Sequence, residues 1–165
     1  MAGAAAAAPF AAGGDGTPPD LSQMTPREQF DRLFNRIMAA SEQGDTATAN
    51  RFSPMALVAY QNLPEVDQDA RYHAAMLRLH GGDIEGAQAL ADTIGTIQKG
   101  HLFSYVLNSA IARFGNDQAK LKLNYEGYLA HLDAEMAAGR SEYQDHKTML
   151  DNFTTTARAA TGKAQ

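Results

Sequence analysis

Any chemistry in this sequence must come from carboxylates, imidazoles and hydroxyls, because the chain has no cysteine. That removes thiol catalysis, disulfides and cysteine-ligated zinc or iron–sulfur centres. Of the five histidines, His73 and His80 stand seven residues apart and could share a helix face, but no carboxylate completes a metal set with them. Glu142 and His146 are four apart, a spacing that suits either a metal pair or a contact on a helix surface. Two ligands without a third and fourth make no site, so the surface contact is the expectation. His131, Asp133 and Glu135 alternate along the chain, which places them on different faces of a helix. No metal and no cofactor are therefore expected. Nucleophile elbows, phosphate loops, dinucleotide fingerprints and H-E-x-x-H pairs are also missing, so no catalytic residue is assigned and the chain is not expected to be an enzyme.

The bulk composition is that of one folded domain: 165 residues, 44% hydrophobic and 20% charged, with a formal charge of −5. No run of Lys or Arg provides the clustered positive charge that nucleic acid or an anionic membrane needs. No apolar stretch reaches 18 residues, so no membrane insertion of this chain is expected. Residues 1–24, opening MAGAAAAAPFAAGGDGTPPD, are Ala-, Gly- and Pro-rich and read as a disordered, flexible linker. Such a linker either tethers a soluble domain, as in a bacterial envelope protein, or is a loose terminus. Cytoplasm and periplasm both stay open as compartments. Residues 25–160 form the expected domain, and 161–165 a frayed tail.

Helix signals fill that domain. Thr25, Pro26 and Glu28 make a capping box with proline at the first helical position. Phe30, Leu33, Phe34, Ile37 and Met38 then follow helical spacing. Gly44 can end this helix in a left-handed turn, and Asp45 can cap the next. Pro54 predicts a kink there or a restart capped by Ser53, and Pro64 ends the segment. Helices follow over DARYHAAMLRLHGG, over DIEGAQALADTIGTIQKG, where Gly100 ends it, over HLFSYVLNSAIARF and from Asp117 to Gly139. A final one starts at Ser141, where SEYQ offers another capping box. Strand patterning is absent, and about seven helices of an all-α fold are expected.

The hinges recur. Gly44-Asp45 and Gly82-Asp83 are each followed by an alanine five residues after the glycine, and Gly115 gives a looser third copy. Phe34 and Tyr72 lie ten residues before their hinge glycines, Met38 and Met76 six before. The glycines at 44, 82 and 115 are spaced by 38 and 33 residues, near the 34-residue helix–turn–helix period. On these residues, residues 27–138 resemble tetratricopeptide repeats, as three helix pairs closed by a solvating last helix. No tryptophan occurs, the first interval is long, and Pro54 falls where that family keeps an unbroken helix. A generic α–α superhelix is the alternative architecture.

The resemblance implies a solenoid whose inner helices line a concave groove for a partner peptide or helix. Inner-helix candidates for partner binding are Asn35, Met38, Arg71, Tyr72, His73, Arg78, Tyr105 and Asn108. The carboxylate clamp of some family members does not carry over, because the inner helices have no lysine. Phe34 and Tyr72 sit at helical spacing and are expected in the core, the alternative being an aromatic groove shared with Tyr105. Function is thus expected to be that of a protein–protein interaction module, an adaptor or scaffold. The alternative is a structural subunit that self-associates or packs into a larger assembly through its outer helices, with the low-charge segment DTIGTIQKGHLFSYVLNSAI as a contact surface.

Overall fold

A computed structural model of the chain describes residues 23–163. The linker expected over 1–24 lies outside the described residues but for 23 and 24, and so do 164 and 165 of the expected tail. Within the described residues the fold is all-α, with no strand. Its helices are α1 (Pro26–Glu42), α2 (Thr46–Gln61), α3 (Gln68–His80), α4 (Ile84–Ile97), α5 (Leu102–Phe114), α6 (Gln118–Ala137), α7 (Ser141–Asp145) and α8 (Lys147–Thr161).

Three tight turns set the arrangement. At each, a left-handed residue lets the next amide reach back to a carbonyl of the helix just ended. Asp45 N–H donates to Ala40 O, Asp83 N–H to Arg78 O, and Asp117 N–H to Ala112 O, all at 2.8 Å. The aspartate side chains then cap the following helix by accepting from Thr48, Gly86 and Lys120 N–H at 2.9–3.0 Å. The left-handed residues are Gly44, Gly82 and Asn116, with φ of 74°, 78° and 52°. The third turn therefore pivots one residue later than the glycine that marks it in sequence: Gly115 is right-handed, at φ −80°. Counted from the true pivots, Phe34, Tyr72 and Val106 occupy one slot ten residues upstream, and all three are buried. Asparagine manages the positive φ because its short polar side chain tolerates that region.

The turns pair α1 with α2, α3 with α4, and α5 with α6, and neighbouring pairs join through α2–α3 and α4–α5. The first helices of the pairs also touch, α1 on α3 and α3 on α5, and α8 packs on α6. The apolar faces form two clusters that meet in α3. Ala70, Ala74 and Leu77 face Phe30, Leu33, Ile37 and Phe52 of the first pair. Tyr72, Ala75 and Leu79 face Ala91, Ile94, Phe103 and Leu107 on the other side. Each fully buried Phe or Leu contributes about 1.5–3 kcal/mol of burial, and only neighbouring pairs provide the surface that hides them.

One of the two alternatives expected at Pro54 does not occur, and the final helix differs from expectation. α2 runs unbroken through Pro54, without a restart at Ser53. Ser53 turns its hydroxyl back to Ala49 O at 2.7 Å instead of capping a new helix. Asn50, whose carbonyl loses its partner to the proline, is exposed, so water can take the bond. The final helix is divided: its backbone leaves helical geometry at His146 (φ −103°, ψ 19°), and no side chain caps α7, so the SEYQ capping box does not form. Among the described residues, no helix is long and apolar enough to cross a membrane.

Candidate functional site

Asp67 begins the construction of the most elaborate polar cluster. It caps α3 by accepting from Ala70 N–H at 2.7 Å, which places Asp69 and His73 one turn apart on the helix. From α1, the guanidinium of Arg27 reaches across to both oxygens of Asp67 at 2.8 Å, to Asp69 Oδ2 at 2.5 Å and to Asp31 Oδ2 at 2.8 Å. Partial burial works against that charge, yet the hydrogen bonds to Asp67 and Asp31 hold the guanidinium above its ordinary pKa.

His146 approaches the same place from the break between α7 and α8. Its Nε2 lies 2.8 Å from Asp69 Oδ1 and 3.2 Å from His73 Nε2. Asp69 Oδ1 is 3.6 Å from His73 Nε2, and the three ligand-type atoms all lie within 4.8 Å of one another. Burial is the strongest single influence and would raise the Asp69 carboxyl, but the hydrogen bond with His146 and the electrostatic attraction of His73, His146 and Arg27 together outweigh it and hold the carboxyl below its usual range. On the far side of the His73 ring, Nδ1 faces Asp31 Oδ1 at 3.5 Å, and both of these buried atoms lack a hydrogen-bond partner. The ring itself is clamped by stacking on Phe34, with centroids 3.9 Å apart. A cavity of about 220 Å³ adjoins the cluster, lined by Arg27, Asp67, Asp69, Ser141, Glu142 and Asp145.

The C-terminal segment that delivers His146 is anchored by a second network. Tyr143 inserts its ring beside Phe103 and His101, and its hydroxyl accepts from Leu102 N–H at 2.9 Å. Arg140 donates to Glu135 at 3.0 Å. Burial, and then the bond to Glu135, pushes the Tyr143 phenol far above its ordinary pKa, so it stays protonated. His146 covers Tyr72 and Phe103 edge-on, at centroid distances of 5.2 Å to each. The aromatic side of α3 and α5 is thus covered from within the chain.

An apolar groove of about 470 Å³ lies elsewhere, between α1 and α2. Pro26 and Leu33 form one wall, Pro54, Met55, Val58 and Ala59 the other. Met55 and Val58 are 39% and 55% exposed. Phe30 and Phe34 of the first pair meet His73 of α3, and Leu33 belongs to both the groove wall and the core shared with α3.

The residues expected to line a concave groove are scattered by comparison. Tyr72 and His73 are buried side by side, Tyr72 stacked on Phe103 at 4.4 Å. Arg78 pairs with Asp83, and Arg71 donates to Gln68 at 3.2 Å. Asn108 donates to Ser104 O and accepts from Gln88, each at 2.9 Å or less. Tyr105 stacks on His131, Met38 packs on the first core cluster, and Asn35 is exposed. Phe34 and Tyr72 are core residues, as the packing expectation had it. Glu142 does not pair with His146 on a helix surface; its carboxylate meets His101 Nε2 at 3.3 Å.

Sequence reasoning missed the grouping of Asp69, His73 and His146. Half of its signal was present, since D-A-R-Y-H places Asp69 four residues before His73. His146 lies 73 positions further on, and nothing local announces it. Comparison with family models, curated proteins and solved structures finds no match to this chain. The repeat resemblance therefore rests on the residues quoted for it.

Proposed function

We propose that the chain is a protein–protein interaction module and that its partner seat is the groove between α1 and α2. One observation carries this reading: Met55 and Val58 expose apolar surface in a groove that no other helix fills among the described residues. Stacked helix arrays normally finish in a pair with a polar outer face, because an apolar one invites company. Backbone groups in the groove walls are satisfied within helices, so a partner cannot add as a strand. The fitting occupant is an amphipathic helix of another protein, setting apolar residues at i, i+3 or i+4 and i+7 into the groove. The inner face is a poorer seat, since Tyr143 and His146 already cover its aromatic floor.

A photo-crosslinking residue at Val58, compared with one at exposed Asn152 on α8, tests this in the full chain. Expected is a crosslinked second protein at 58, absent at 152 and lost when Met55→Glu is added. Equal crosslinking at both positions, or none at 58, would remove the proposal.

The same exposed apolar face supports a second reading, in which two copies join through it. Light scattering over a concentration series separates the readings: a dimer abolished by Met55→Glu favours self-association, and a monomer throughout favours the foreign helix.

A further inference from the structure

We infer that Asp69, His73 and His146 form a binding site for a divalent metal ion of the zinc type, separate from the α1–α2 groove. The three ligand atoms are His73 Nε2, His146 Nε2 and Asp69 Oδ1, separated by 3.2, 2.8 and 3.6 Å. A tetrahedral zinc ion with bonds of about 2.0–2.1 Å sets its ligand atoms about 3.3 Å apart. The observed triangle brackets that value, so a cation enters with side-chain shifts of a few tenths of an ångström.

Proton accounting points the same way. With both imidazoles neutral, three acceptor-type atoms converge around a single proton. If His146 carries it on Nε2 and donates to Asp69, the His73 Nε2 lone pair shares that proton at best. The proton of His73 is then on Nδ1, where it faces Asp31 Oδ1 at 3.5 Å, too far for a good hydrogen bond. The His73 side chain is only 9% exposed, and its Nδ1 is without a partner. Buried imidazoles in that condition are uncommon. A cation at the centre gives all three atoms a partner at once. His146 takes the tautomer protonated on Nδ1, and His73 Nδ1–H turns to Asp31, the carboxylate–imidazole–metal relay that fixes ring orientation in metal sites.

The surroundings suit the charge and type of ion. Arg27 holds Asp69 by Oδ2, which leaves Oδ1 directed at the imidazoles. Asp31, Asp67 and Asp69 together outweigh the single guanidinium, and Glu142 and Asp145 add acidic groups along the adjoining cavity. That cavity gives solvent a route to a fourth coordination position. Two imidazoles and one carboxylate select zinc-like ions over magnesium or calcium, which take all-oxygen shells. Bound there, the ion ties α3 to the start of α8.

The test uses the full chain, stripped with chelator and titrated with Zn2+ by calorimetry and with Co2+ by visible spectroscopy. Expected are one equivalent bound per chain, the intense bands of low-coordinate cobalt, and a rise in Tm with Zn2+. His146→Gln and Asp69→Asn should each weaken binding at least about tenfold, and Asp31→Asn about 10–100-fold through His73. His80→Ala, on exposed surface, should change nothing. No saturable binding by the wild-type chain overturns the proposal, as does a zinc affinity unchanged in His146→Gln with its helical signal intact. If that variant unfolds, the cobalt spectrum of the wild-type chain decides: weak octahedral bands count against the site, intense ones for it.

Discussion

The hydroxyl of Tyr143 donates to Glu135 Oε2 at 2.6 Å, joining the last turn of α6 to α7. Because the same oxygen accepts from the Leu102 amide, one buried phenol links three elements. Tyr143→Phe removes both bonds, leaving the buried Leu102 amide without its partner and Glu135 with its bond from Arg140. A loss of about 1–3 kcal/mol is expected, seen as a lower denaturant midpoint with unchanged slope. An unshifted midpoint would mean that the phenol does not hold the C-terminal segment.

His101 makes stability depend on pH. It is fully buried, its Nδ1 accepts from Phe103 N–H, and its Nε2 faces Glu142. Burial, outweighing the attraction of Glu142, pushes the imidazole pKa below its ordinary value. The folded chain therefore takes up this proton at lower pH than the unfolded chain, where histidine titrates near about 6.5. Its contribution is complete above that value and is lost as pH falls through the folded pKa. Urea midpoints measured from about pH 8 to 5 should fall more steeply for wild type than for His101→Asn, which keeps a capping oxygen. Parallel curves would show that His101 protonates without cost.

Gly127 sits inside α6, where alanine would normally be favoured by about 1 kcal/mol. A Cβ there would meet Tyr105 Cε1 at 2.5 Å, and that ring is backed by its stack on His131. Overpacking costs about 1–3 kcal/mol, so Gly127→Ala is expected to lower Tm. Adding Tyr105→Ala should reverse the sign of the Gly127→Ala effect, a coupling readable in a double-mutant cycle. Additive effects would show that the ring moves aside freely.

Pro54 is tolerated in α2, which leaves room to improve on it. Pro54→Ala restores the missing N–H donor to Asn50 O and should stabilise the chain by up to about 3 kcal/mol. Thermal melts with unchanged helical content would confirm it; a loss of stability would mean that the proline ring supports the packing of α1 on α2.

The all-α architecture was legible because its signals are local. Thr25, Asp45 and Asp83 cap the helices they precede, and Gly44 and Gly82 turn where expected. At the third turn Gly115 drew attention from Asn116, since composition marks glycine as the left-handed residue and only the backbone reveals the asparagine. The break at His146 had no sequence mark, because the residues that hold it there, Asp69 and Tyr72, belong to α3. Side-chain chemistry was legible one helix turn at a time. It was lost wherever a site draws on residues joined only by the folded chain.

The contact between Asp69 and His146 spans 77 positions of sequence, whereas the helix pairs close between neighbours. Synthesis at about 5–20 residues per second leaves an interval of about 4–15 s between the emergence of Tyr72 and that of His146. From the emergence of Phe103 onward, the greasy flank that it forms with Tyr72 is open to ribosome-bound chaperones. The emergence of His146, which packs edge-on against Tyr72 and Phe103, is the event that withdraws this flank from them.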